Sequence, residues 1–138
     1  MELDESLNQN IQALSQEGER HYEAEAYEQA VTSYLAALAL VPNPKEDWEA
    51  SLWLYAALGD AFFKLKRYEE SLGVFRSAEK CQDGLDNAYV VLMIGQNYYE
   101  LHNKHLAREY LLKAYMLEGE EIFEEQDQKY FETIEDLV

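Results

Sequence analysis

The sequence holds one cysteine, two prolines and six glycines in 138 residues. With Cys81 as the lone thiol, no intrachain disulfide framework is possible and no thiolate zinc site can be assembled. Cations are also scarce: 11 Lys and Arg stand against 28 Asp and Glu, for a formal net charge of −17. That deficit excludes a phosphate-backbone binder, which needs cationic side chains to displace counterions, and equally a chain that docks on an anionic membrane. The longest apolar run, Ala88 to Ile94, falls far short of the roughly 20 residues that cross a bilayer. The N-terminal Met1-Glu2-Leu3-Asp4-Glu5 is acidic and lacks an apolar stretch, so no secretory leader and a cytoplasmic location are expected.

What is present suits a folded chain of one ordinary domain's length, 1–138, since 48% of the residues are hydrophobic and a disordered acidic tail would carry far fewer. The charge points to a basic protein or peptide partner, because opposite potentials steer encounter.

Apolar residues recur at spacings of three and four, an all-helical signature. Gly18, Gly59 and Gly95 anchor an internal repeat. Four residues after each come Tyr22, Phe63 and Tyr99; twelve after come Ala30, Ser71 and Ala107. Sixteen after come the large Tyr34, Phe75 and Leu111, and nineteen after come Ala37, Ala78 and Ala114. The spacing has a packing reason: two helices cross closely only where one residue lacks bulk, and a large side chain then fills the space beside the crossing.

The run Gly18…Tyr27-Glu28-Gln29-Ala30…Tyr34…Ala37-Leu38…Pro42 resembles a tetratricopeptide repeat over its whole length. Leu58-Gly59…Phe62…Tyr68-Glu69-Glu70-Ser71…Phe75…Ala78 and Ile94-Gly95…Tyr98-Tyr99…Ala107…Leu111…Ala114 look like second and third copies. The resemblance implies an all-α, right-handed superhelical array of three helix-turn-helix pairs, over about 8–42, 48–83 and 86–118, with a capping helix in 119–138. It also implies an interaction scaffold, non-enzymatic and without cofactor.

The anchor glycines lie 41 and 36 residues apart, against 34 in the family repeat. The first excess falls between Val41 and Trp48, where Asn43 reads as an N-cap, Pro44 as the first helical residue and Glu46 as the partner in a capping box. The second falls near Gln82-Asp83-Gly84, a glycine-bearing helix stop. Lys104 replaces the tyrosine of Tyr27 and Tyr68, so the third copy is the least regular. Helices are predicted over 6–25, 27–41, 45–66, 68–81, 86–102, 104–118 and 120–136. The stretch from Glu118 to Val138 carries nine acidic residues against a lone Lys129, and a polar outer face is what a terminal cap needs.

No phosphate-binding glycine loop and no nucleophile elbow occurs. Cys81 reads as a buried structural thiol. His102 and His105 fall across a turn at Asn103, an ordinary place for polar side chains rather than a metal site, and the acidic pairs lack an EF-hand loop around them. No metal is expected.

In tetratricopeptide arrays the first helix of each pair lines a concave groove. Counting from each glycine, that face holds Gln12, Trp53 and Tyr89, then Ser15, Ala56 and Leu92. It continues with Glu19, Asp60 and Gln96, then Glu23, Lys64 and Glu100, shared with Tyr22, Phe63 and Tyr99. The expected binding residues are Trp53, Tyr89, Glu19, Asp60, Glu100, Tyr22, Phe63 and Tyr99. For Tyr22, Phe63 and Tyr99 a core position between paired helices is an equal alternative. Trp53 and Tyr89 are better groove candidates, since the consensus core tryptophan falls on Leu14, Tyr55 and Val91. Chaperone-binding members clamp a C-terminal carboxylate with lysine and asparagine; Ser15, Glu19, Ala57, Asp60 and Glu100 stand there instead, with Lys64 the single cation, so such a clamp would repel its ligand.

The ending from Ala114 through Glu118-Gly119-Glu120-Glu121-Ile122-Phe123 to Phe131 is similar to that of small bacterial tetratricopeptide proteins, some of which resemble immunity proteins paired with secreted toxins. Gln128 departs from that ending, where proline is expected. The runner-up roles are a type III-class secretion chaperone and a generic assembly adaptor.

Overall fold

The structure, a computed structural model, describes residues 3–138; Met1 and Glu2 of the acidic N-terminal stretch lie outside the described residues. Six helices form three consecutive antiparallel pairs: α1 (Glu5–Glu23) with α2 (Tyr27–Leu40), α3 (Glu49–Lys64) with α4 (Tyr68–Glu79), and α5 (Ala88–Glu100) with α6 (Lys104–Glu118). A short α7 (Gln128–Glu132) follows, and no strand occurs among the described residues.

The repeat spacing is a packing spacing. A Cβ added to Gly18 would sit 2.6 Å from the Tyr34 ring, and one added to Gly95 would sit 2.8 Å from Leu111; at Gly59 the obstruction is the Phe75 ring. In each pair, therefore, the large residue sixteen positions on lies directly against the glycine. Ala30, Ser71 and Ala107 and then Ala37, Ala78 and Ala114 are all fully buried at the remaining close approaches. Consecutive pairs share their helices: one apolar cluster joins α1, α2 and α3, a second joins α3, α4 and α5, and a third joins α5, α6 and the C-terminal segment.

The turns within the pairs also repeat. Glu25, Lys66 and His102, each seven residues after its glycine, adopt left-handed backbone with φ between 60° and 65°. The next residue's N–H then donates to the carbonyl five residues back, as from Ala26 to His21, Arg67 to Phe62 and Asn103 to Tyr98. This backbone device satisfies helix-end carbonyls without a glycine.

Three expectations are corrected. Helix α3 starts at Glu49 rather than at residue 45, and Lys45–Asp47 form a separate 3-10 turn. The Asn43 cap and its Glu46 box are not made: no side chain caps this turn, and Lys45 Nζ donates to the carbonyls of Leu38 and Val41 at 2.8 and 2.6 Å. The residues meant to begin one helix thus close the end of the preceding one, and Trp48 takes the N-cap position of α3. At the second stop the left-handed residue is Asp83, φ 65°, whereas Gly84 is needed because a side chain would collide with the Ala78 carbonyl.

The capping helix expected over 120–136 is broken. Gly119 turns the chain at φ 75°, and a 3-10 turn Glu120–Phe123, α7 and a 3-10 turn Glu135–Leu137 follow. Asp127 caps α7 by accepting from the Lys129 N–H at 3.0 Å. The segment still covers the array's open end, burying Phe123, Tyr130 and Ile134 against Val91, Leu92 and Leu111. Arg108 of α6 ties it down, donating to the Thr133 carbonyl at 2.8 Å and to both Asp136 oxygens at 3.2 Å.

Candidate functional site

Helices α1, α3 and α5 present equivalent faces whose exposure declines along the array. Glu19 is exposed, Asp60 is half-buried and Gln96 is buried, although all three directly follow the anchor glycines. The C-terminal segment causes the difference at the third repeat, where Gln96 donates to Gln126 at 2.8 Å. The first helices of the first two pairs are therefore the open part of this face.

Six residues before each glycine the side chains point outward. Trp53 is 61% exposed and Tyr89 38% exposed, while Leu14, Tyr55 and Val91 pack into the apolar clusters. The Tyr89 ring leans edge-on against Phe75, with centroids 6.3 Å apart, and its hydroxyl donates to Asp60 Oδ1 at 2.5 Å. Burial pushes the Asp60 carboxyl up to about 6, against the lowering pull of that hydrogen bond and of Lys64. Burial first, and the nearby Asp60 second, raise the Tyr22 phenol to about 12. Asp60 is thus a poorly hydrated carboxylate inside the array with Tyr89 as its hydrogen-bond donor.

Tyr22, Phe63 and Tyr99 are half-buried packing elements. Tyr22 meets Tyr27 and Phe63 meets Tyr68 edge-to-face at 5.2 Å, each ring closing its own helix pair. Lys104 occupies the equivalent position of the third pair, and Tyr130 from α7 supplies the missing ring, 5.3 Å from Tyr99. That substitution also engages Glu100, which accepts from the Tyr130 hydroxyl at 2.7 Å and from Lys129 Nζ at 3.0 Å. Glu100 is accordingly consumed inside the molecule, not displayed as a free groove carboxylate. Ala57 packs into the first cluster, away from this face.

An open depression lies where the N-terminal halves of α3 and α5 meet the end of α6. It encloses about 630 Å³, floored by Leu52, Ala56, Val90 and Ile122 and walled by Trp53 and Tyr89. Asp83, Asp86, Glu118 and Glu121 ring it, and no Lys or Arg lines it among the described residues. Asp83, Asp86, Glu118 and Glu121 lie outside the residues expected from the repeat face. Asp83 and Asp86 sit in the α4–α5 connection and Glu121 in the 3-10 turn after α6, where helical counting has no register.

Cys81 is buried at 5% exposure and burial pushes its thiol upward, away from the nucleophilic thiolate. His102 and His105 are exposed in and after the turn. No group of three or more His, Cys, Asp or Glu is placed to hold a metal among the described residues. No helix of the described residues is long and apolar enough to cross a membrane.

Solved structures share this arrangement almost end to end. The C-terminal domain of an FK506-binding protein of Plasmodium falciparum matches with a TM-score of 0.78 at 17% identity, over 97% of this chain and 89% of that one. Each is an array of tetratricopeptide repeats. The present fold is a tetratricopeptide-repeat fold. The tetratricopeptide domain of Arabidopsis OM64 matches at TM-score 0.73 and 17% identity, over 94% of this chain and 95% of that one. The first such domain of Spaghetti (RPAP3), solved with the HSP90 peptide SRMEEVD, matches at 0.72 and 14%, over 93% of this chain and 90% of that one. No protein-family model and no curated protein matches the sequence.

Proposed function

We propose that this tetratricopeptide fold is a non-enzymatic interaction module that binds a basic protein segment stoichiometrically. The observation that carries the reading is the depression at Trp53 and Tyr89, apolar at its floor, ringed by carboxylates and lined by no cation. Aromatic side chains contribute large contact area at low entropic cost, and carboxylates select basic partners. An acidic peptide such as the SRMEEVD bound to the Spaghetti domain would be repelled by Glu19 and Asp60 on this face, which supports a ligand of the opposite charge.

The finer reading is an immunity-type inhibitor of a basic toxin domain, supported by the net charge of −17 and by the acidic ending around Glu118 to Phe131. Such a protein acts by occupancy, covering an active cleft or holding it inactive. A secretion chaperone would share the scaffold, and the neighbouring gene distinguishes the two: a toxin domain beside it favours immunity, translocators favour the chaperone.

The test is recovery of the native partner, followed by titration. A basic partner saturating near one copy per chain, with binding weakened at least about 30-fold by Trp53→Ala, is expected, because a central aromatic anchor contributes about 2 kcal/mol or more. Affinity unchanged by Trp53→Ala places the partner on another face and overturns the groove. Modification of the partner by sub-stoichiometric chain overturns the non-enzymatic reading.

A further inference from the structure

A second depression lies on the other side of Trp53. It encloses about 490 Å³ between the start of α1 and the start of α3, with Leu3, Trp48 and Ala50 as its apolar surface and Glu5 and Glu49 at its edge. Trp53 lines both depressions and stands between them as an exposed ridge. Like the first, the second has no Lys or Arg in its lining among the described residues. None of the carboxylates around either depression takes part in an ion pair within the chain among the described residues. The interior of the repeat face differs, since Asp60, Gln96 and Glu100 are already engaged by Tyr89, Gln126, Tyr130 and Lys129.

We infer that the basic partner binds along the rim formed by the N-terminal ends of α1, α3 and α5, straddling Trp53 with two arginines, one seated in each depression. The inference rests on the interaction reading above and specifies its ligand. Each depression offers what an arginine needs: an apolar floor for the methylene stem and carboxylates at the edge for the guanidinium. Trp53 adds an indole that either guanidinium can stack against, a contact the planar Arg head makes better than the compact Lys ammonium. Two seats flanking one helix, α3, make the second contact intramolecular once the first has formed, so affinity rises steeply with the right arginine spacing and not with charge alone.

The experiment titrates the full chain with synthetic peptides of identical composition, each carrying two arginines either adjacent or separated by two to eight neutral residues. Binding is followed by backbone amide resonances. The expected result is one spacing that binds at least about tenfold tighter than the adjacent pair, the gain that linked binding readily supplies, with Asn8 and Ala50 shifting together with Asn87 and Ala88. The double variant Glu5→Gln/Glu49→Gln should remove that gain; both residues are exposed, so the fold tolerates the change. If no spacing exceeds the adjacent pair while shifts stay confined to Asn87 and Ala88, the two-seat inference fails and the single-groove reading stands. If no arginine peptide binds either depression, the inference and the basic-partner reading fall together.

Discussion

At the scale of the residue, the decisive positions are those where a side chain is forbidden or a charge is held out of water. Gly59 and Gly73 are both helical, yet a Cβ at Gly59 would strike the Phe75 ring whereas one at Gly73 would meet nothing within 4 Å. Gly59→Ala should therefore destabilise the fold by about 1–3 kcal/mol, the usual cost of overpacking. Gly73→Ala should stabilise it by about 0.5–1 kcal/mol through helix propensity and a less disordered unfolded chain. Urea unfolding of the two variants side by side checks both signs. Asp60 supplies a pH signature. Its carboxyl titrates near 6 in the fold against an ordinary 3.8. The folded state thus holds its proton more tightly, so this contribution is full below pH 3.8 and is lost as pH rises through about 6. It amounts to on the order of 2 kcal/mol. Asp60→Asn keeps an oxygen for the Tyr89 hydroxyl and cannot ionise. Its stability relative to wild type should rise between pH 4 and pH 7 by about that amount; a pH-independent difference would contradict the buried-carboxylate account.

At the scale of the element, the C-terminal segment is a cap assembled from pieces. An uninterrupted helix is not required, because the buried rings and aliphatics matter more than the backbone between them. Ile134 is fully buried against α5 and α6 although it follows α7 by two residues. Ile134→Ala should cost about 2–5 kcal/mol, as deletion of a buried aliphatic does. The third repeat and its cap should show that loss in amide-exchange protection before the first repeat does, since repeat arrays couple mainly through neighbours. Uniform loss across all three pairs would show instead that the array unfolds as one unit. Tyr130 illustrates the same economy: it replaces the ring that Lys104 removes and engages Glu100 in the same contact region.

At the scale of the whole molecule, the basic partner proposed above would meet 28 acidic residues against 11 basic ones, so charge would govern its encounter and the Trp53 rim its residence. Exposed charges are screened beyond about 8 Å at physiological salt. Raising ionic strength from about 0.05 to about 0.5 M should accordingly slow association with the proposed basic partner by about tenfold or more. Dissociation should change far less, because desolvated contacts set it. Stopped-flow association measured at several salt concentrations separates the two; a salt-independent association rate would remove steering from the account.

The helical class, the three pairs and their register were legible in the residue pattern, since small residues at the crossings and large ones opposite them repeat at fixed offsets. Gly18, Gly59 and Gly95 and their partners Tyr34, Phe75 and Leu111 could be matched without coordinates, and so could the outward direction of Trp53 and Tyr89. The tertiary structure decided the rest, and each case turns on a contact between segments without common periodicity. Lys45 caps the helix before it instead of opening the one after it, because the carbonyls of Leu38 and Val41 lie within its reach. Glu100 sits at the expected position on its helix, but Lys129 and Tyr130 arrive from thirty residues on to occupy it. The carboxylates at Asp83, Asp86, Glu118 and Glu121 converge only because the α4–α5 connection meets the end of α6 and the turn that follows it. Helical periodicity reports which side of a helix a residue occupies, and only the packed array reports what covers that side.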